Sequence, residues 1–210
     1  MIIQGQVGQP AVRSISPSQT PPVRMGQLGD LVVSELHGRY YETTYNRNMF
    51  TAALTAGTTT SVGLSTTQTG LLLLNPNNST VNLVVNKVGY CFLVAFAAAA
   101  AIGIQAGTQS TAVLSGLTTT NTQIKSNIIG NPTSSQALTY SAATTTAPWV
   151  QMLFGSGLTG AITTTPAVYS FFDIEGGLII PPGGWIATYT STASGASSTL
   201  ASFTYEEVPL

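Results

Sequence analysis

The stretch that most restricts the fold is Asp173–Leu210, DIEGGLIIPPGGWIATYTSTASGASSTLASFTYEEVPL. It divides into three strand-like runs separated by two breaks. The first run ends at Ile180, where Pro181-Pro182-Gly183-Gly184 stops it. From Trp185 to Thr190, Trp185, Ala187 and Tyr189 alternate with Ile186, Thr188 and Thr190. Ser191–Ser198 is small-residue turn material, and Leu200–Val208 opposes Leu200, Ser202, Thr204 and Glu206 to Ala201, Phe203, Tyr205 and Glu207. β-Branched and aromatic residues between Gly, Pro and Ser clusters predict antiparallel strands. No pattern of reactive side chains accompanies them. The expected role of the stretch is the closing edge of a β-sandwich.

A sandwich needs a core and a solvated exterior, and the second requirement is met unusually here. Hydrophobic residues make up 43% of the chain, but charged residues only 6%, against about 25% in an average soluble protein. The exterior must therefore be carried by Thr, Ser, Asn, Gln and Gly. With a net charge of −1, little electrostatic repulsion keeps copies apart. Such a surface suits a subunit of an assembly. Arg13, Arg24, Asp30, Glu35, Arg39, Glu42 and Arg47 crowd the first quarter, and from Asn48 to Phe172 only Lys87 and Lys125 are charged. Nucleic acid is not expected as a partner, because phosphate neutralisation requires clustered Lys or Arg.

Residues 1–25 carry Pro10, Pro17, Pro21 and Pro22 among Gln, Ser and Gly. Proline at that density opposes helix and favours extended chain. Two readings are open: a frayed terminus, or an arm that orders on a neighbouring subunit. Ile2, Ile3, Val7, Val12, Ile15 and Val23, with Arg13 and Arg24, are the residues assigned to such an arm. Residues 26–210 are expected to form one sandwich domain. Met1-Ile2-Ile3-Gln4 lacks the basic start of a secretory leader, so none is expected.

Within that domain the turn signals delimit about ten strands. Leu28–Tyr45 reads as a first strand region broken at Gly38, with Tyr40–Tyr45 resuming it. Met49–Leu54 follows, then Thr/Gly/Ser turn material over Thr55–Thr69. Leu71–Leu74 and Val81–Val85 flank Asn75-Pro76-Asn77-Asn78 and are expected to pair as a hairpin. Val88–Ile104, VGYCFLVAFAAAAAIGI, admits a membrane helix, a buried helix or a strand with a close-packed Ala-rich continuation. Its length falls short of the ~20 residues of a membrane span, and Gly89 and Gly103 favour the strand. Leu117–Asn131 reads as polar loop anchored by Ile124, Ile128 and Ile129. Ala137–Ser141, Trp149–Phe154 and Val168–Ile174 complete the set.

Chemistry-bearing residues are few. His37 is the single histidine, with Glu35 two residues before it on the same strand face; a base–acid pair and a simple strand-end histidine are both compatible with that spacing. Cys91, the single cysteine, has no neighbouring charge to activate it and reads as a buried structural thiol. One His and one Cys do not make a zinc site. Asp173 and Glu175 share a strand face at i, i+2 and offer calcium at best a weak intersubunit site, the alternative being two solvated carboxylates. No phosphate-cradling loop or nucleophile elbow occurs. No catalytic, cofactor or metal site is expected.

Three stretches, GQLGDLVVSELHGRYY (26–41), GLLLLNPNNSTVNLVV (70–85) and GLIIPPGGWIATYTSTASGASSTLASFTYEEVP (177–209), resemble virion structural proteins of tailed bacteriophages. Those proteins combine an Asn-Pro turn between strands with an Ile-Pro-Pro-Gly run and an aromatic-Glu-Glu-Val-Pro ending. Here Tyr205 stands where Trp is frequent, and the Ala- and Thr-rich middle has no counterpart. The resemblance implies an all-β, jelly-roll-like sandwich, often a homotrimer, bound on the phage particle. It implies a capsid decoration or cement subunit whose partners are its own copies and the major capsid protein. The rival within that resemblance is a fibre or spike head that binds a host receptor, with Trp149 or Trp185 as an exposed stacking platform.

Overall fold

The computed structural model describes residues 5–7, 23–25, 38–94, 96, 98–114, 121–157, 169–194 and 199–210. The chain separates into two compact units, Met1–Tyr41 and Glu42–Leu210. In the first, β1 (Gly5–Val7) and β2 (Val23–Met25) pair in parallel.

The second unit is an all-β sandwich. One antiparallel sheet has the order β10-β5-β12-β3-β7, and the other β8-β4-β11-β6-β9. In chain order these strands are β3 (Met49–Leu54), β4 (Thr67–Leu74), β5 (Val81–Phe92), β6 (Ala100–Thr108) and β7 (Thr122–Ser126). They continue as β8 (Leu138–Thr144), β9 (Trp149–Gly157), β10 (Tyr169–Ile180), β11 (Gly184–Thr190) and β12 (Thr199–Pro209). Every link from β3 to β12 crosses between the sheets, except β8 to β9. Without β7 and β8, the orders reduce to β10-β5-β12-β3 and β4-β11-β6-β9, the eight-stranded double Greek key of a jelly roll. β7 and β8 add one outer strand to each sheet.

Between the sheets lie Phe50, Leu83, Tyr90, Phe203 and Tyr205 from one side and Leu71, Leu73, Ile104 and Ile186 from the other. Phe154 of β9 stacks on Phe172 of β10 at 4.0 Å between ring centroids, joining the two sheets along one side. The Tyr90 hydroxyl donates to the Gly103 carbonyl in the opposite sheet. Burial pushes that phenol above the usual tyrosine range, so it is a permanent donor in this core.

The second sheet is covered on its outer face too. There Leu72, Leu74, Tyr140, Trp185 and Ala187 pack with Leu114. This is why LLLL in β4 and nearly all of β11 are buried without alternation, as expected of strands covered on both faces.

Several sequence expectations need correction. Asp173–Leu210 is not a closing edge. β11 and β12 are the middle strands of the two sheets, and only β10 lies at an edge. Leu71–Leu74 and Val81–Val85 do not form a hairpin: β4 and β5 belong to opposite sheets. The Asn-Pro turn is a corner between sheets, fixed by buried Asn75, whose Nδ2 donates to the carbonyls of Val81 (2.8 Å) and Ile180 (2.9 Å). Tyr41–Tyr45 is a one-turn helix, α1, and not a resumed strand. The Asn46 N–H reaches back to the Glu42 carbonyl, a bond of helical spacing. Thr122–Ser126, read as loop, is strand β7, whose only core contact is Ile124. Ile129 is no anchor, being 94% exposed.

β5 explains a further difference. Val81, Leu83 and Val85 are buried, then Val88, Tyr90 and Phe92. The change of phase occurs where Val85 pairs with Tyr205 but Lys87 pairs with Thr204, leaving Asn86 as the extra residue of a bulge. Cys91 therefore falls on the outer face and is only half-buried, not the core thiol expected from VGYCFLVAF.

Candidate functional site

Of the arm residues, Ile2, Ile3, Val12, Arg13 and Ile15 lie outside the described residues. Val7 pairs with Met25 at the end of β1, and Val23 and Arg24 belong to β2; their side chains are outside the description. His37 and Glu35 lie outside it as well.

The described candidates divide between the surface and a few polar clusters. Trp185 is 1% exposed and cannot serve as a stacking platform. Its alternation with Ile186 opens neither face, because both faces of β11 are covered. Trp149 is 46% exposed on edge strand β9, its Nε1 donating to Gln151 Oε1 at 2.8 Å.

Asp173 and Glu175 do not share a face as a calcium pair. The ladder with β5 shifts between Asp173 and Leu178, and Glu175 adopts a left-handed backbone (φ 54°). Asp173 instead faces Lys87 at 3.6 Å, an exposed pair of small energetic weight. Among the described residues no three His, Cys, Asp or Glu side chains converge on a metal-sized site.

Ser135 carries a hydroxyl with several partners. It donates to the Glu207 carboxylate, which also takes the Gln136 N–H at 2.8 Å. Since that proton is committed, the Tyr205 hydroxyl, 2.6 Å away, donates to Ser135. Burial raises the Tyr205 phenol well above its ordinary range, which fixes it as a donor. A carboxylate is too weak a base to make this serine a nucleophile unaided. The relay ties the segment before β8 onto β12.

Glu206, on the other face of β12, is half-buried. Burial raises its carboxyl above the usual glutamate range, partly offset by a hydrogen bond with Thr43. A raised folded-state value means that the folded chain holds the proton more tightly than the unfolded chain. Its contribution is therefore fully present below the ordinary glutamate range and is lost as pH rises through the raised value. Glu206→Gln is expected to flatten that part of the profile, raising the melting temperature at pH 7 relative to pH 4 when compared with wild type. Parallel profiles would show that burial there carries no cost.

On the outer face of the first sheet, Phe171, Gly89, Ser202 and Ala53 lie side by side in register across β10, β5, β12 and β3. Glycine at 89 leaves room for the Phe171 ring, which would lie 3.4 Å from a Cβ there and remains 71% exposed. Ala53, Ser202, Leu200 and Cys91 complete an open pit of about 230 Å³ beside it. Sequence reading passed over Phe171 because FF beside Asp173 reads equally as core or surface. Its exposure follows from which neighbour pairs with it. The pit offers apolar contact, the Ser202 hydroxyl and the Cys91 thiol, with no Asp, Glu, His or Lys among its lining residues. No protein-family model, no curated protein and no solved structure matches this chain.

Proposed function

We propose that the chain is a non-enzymatic structural subunit of a tailed-phage particle, a decoration or cement protein of the capsid surface that packs with its own copies. The observation that carries the reading is the character of the surface. Phe171 and Ile179 on β10, and Trp149, Val150 and Leu153 on β9, are exposed on edge strands. They lie in a chain with only 6% charged residues. Natural sheets usually protect such edges with charge; β9 carries none and β10 only Asp173 and Glu175, and edges so sparsely charged and apolar suit burial against other protein. The jelly-roll order supports the reading by analogy, since capsid domains use it, although one fold serves many functions. The motif resemblance points the same way and implies a trimer.

In this reading the sandwich supplies the lattice contact, and residues 1–25 lie across neighbouring subunits. Many weak arm contacts acting together strengthen attachment through effective concentration. Deleting residues 1–25 is expected to leave the β-type circular dichroism spectrum intact and to abolish co-sedimentation with phage heads stripped of the protein. Undiminished occupancy after the deletion would remove the arm from the mechanism. Light scattering showing only monomer for the full chain at every concentration would count against self-packing altogether.

A further inference from the structure

We propose that two adjoining depressions either side of Asn131-Pro132 form a binding site for a carboxylate-bearing saccharide. The first, of about 380 Å³, is lined by Lys125, Ser126, Thr133 and Ser134; the second, of about 420 Å³, by Tyr45, Arg47 and Ile128. Asn131 and Pro132 line both, so the two depressions share that pair as a common border, and together they are called the trough.

Its chemistry differs from that of the rest of the surface. Lys87 is held by Asp173, whereas Arg47 and Lys125, one in each depression, face no carboxylate among the described residues that line the trough. Glu207, which contacts Ser135 at the rim, is engaged by the Ser135 hydroxyl and the Gln136 N–H. Two cations in a nearly uncharged surface match one or two anionic groups, and Arg matches a carboxylate in two-pronged fashion. They are too few to follow a nucleic-acid backbone.

The remaining lining suits sugar hydroxyls, which need donors and acceptors close together. Ser126, Asn131, Thr133 and Ser134 supply both. The loop is already braced: Asn131 Nδ2 donates to Ser126 Oγ at 3.0 Å, and Asn131 Oδ1 accepts from the Thr133 N–H at 3.2 Å and hydroxyl at 3.0 Å. A preformed site loses less entropy on binding. Tyr45, 66% exposed at the far end, presents a ring against which the apolar face of a sugar can stack. The site stands independently of the assembly role, since all these residues belong to the sandwich unit.

The test is calorimetric titration of the full chain with tri-galacturonic acid, with maltotriose and inorganic sulfate in parallel. Saturable binding of the uronate is expected, with the neutral sugar and the bare ion at least about tenfold weaker. Arg47→Asn and Lys125→Gln should each weaken uronate binding by about tenfold. Asn suits the left-handed backbone at position 47 (φ 66°), and unchanged melting curves confirm that both variants fold. Lys87→Gln should bind as wild type does. Absence of saturation, equal binding of maltotriose or sulfate, or uronate binding unmoved in the double variant would each overturn the proposal.

Discussion

Gly70→Ala is expected to cost about 3–5 kcal/mol of stability, combining backbone strain with overpacking. Gly70 sits where the ladder between β4 and β8 shifts register, between Thr69 and Leu72, with φ at +114°. That backbone is one that side chains bearing a Cβ rarely adopt. A Cβ at this position would also lie 2.2 Å from the Oγ1 of Thr188, a residue 1% exposed in the middle strand of the same sheet. Neither side can yield easily, because Thr188 Oγ1 is enclosed and its carbonyl accepts from both Gln68 Nε2 (3.0 Å) and Gln105 Nε2 (2.9 Å). Urea unfolding measures the loss. Thr188→Ala in the same background separates its two parts: removing the hydroxyl relieves the collision and leaves the strain. The double variant should therefore recover roughly half of the loss. A Gly70→Ala protein as stable as wild type would mean that this bulge has an alternative backbone.

Gly70 also marks the limit of what the residues alone disclose. The all-β class was legible because it rests on local signals: Pro-Pro-Gly-Gly after Ile180, alternation in Leu200–Val208, and turn residues between apolar runs. Strand partners were not legible, because pairing is a long-range choice. LLLL and VNLVV flank an Asn-Pro turn that equally ends a hairpin or rounds a corner between sheets. The deciding observation is Asn75, which donates to Val81 six residues on and to Ile180 in a distant part of the chain. Bulges hide in the same way. Nothing in VVNKVGYCF marks Asn86 as an added residue, yet it decides that Tyr90 faces the core and Cys91 the surface.

Legibility of the binding surfaces follows the same division. Arg47 and Lys125 are far apart in sequence and unremarked by any motif. They come to adjoining depressions because β7 pairs with β3, a long-range pairing that the polar, loop-like composition of Leu117–Asn131 does not signal. Trp185 shows the converse error. Its neighbours in sequence suggested an alternating strand with one open face, and the cover over that face comes from Leu114 and Tyr140, far away in the chain. Core membership from hydrophobicity alone is a one-way inference.

The second large effect is expected at the corner itself. Asn75 is fully buried, and its backbone is bonded there as well: its N–H donates to the Gly184 carbonyl at 2.9 Å, and its carbonyl accepts from the Gly183 N–H at 2.8 Å. The Leu-Asn-Pro turn and the Pro-Pro-Gly-Gly turn, two motifs distant in sequence, are thus one structural joint between the sheets. Asn75→Ala keeps the backbone bonds and removes both side-chain donors, so the Ile180 carbonyl loses its Asn75 bond and the Val81 carbonyl keeps only the longer one from the Ser79 hydroxyl (3.3 Å). Losing a buried bond of this kind costs about 1–3 kcal/mol, so a loss of about 2–4 kcal/mol is expected, read by chemical denaturation. Asn75→Asp distinguishes lost bonding from lost shape. A carboxylate there faces two carbonyls and repels both, whereas its protonated form donates to one of them. Stability of Asn75→Asp should therefore rise more steeply as pH falls toward 4 than that of Asn75→Ala, which keeps only the wild-type dependence. If the two variants run parallel with pH, the side-chain bonds are not what holds the joint, and the paired backbones of Asn75 with Gly183 and Gly184 carry it alone.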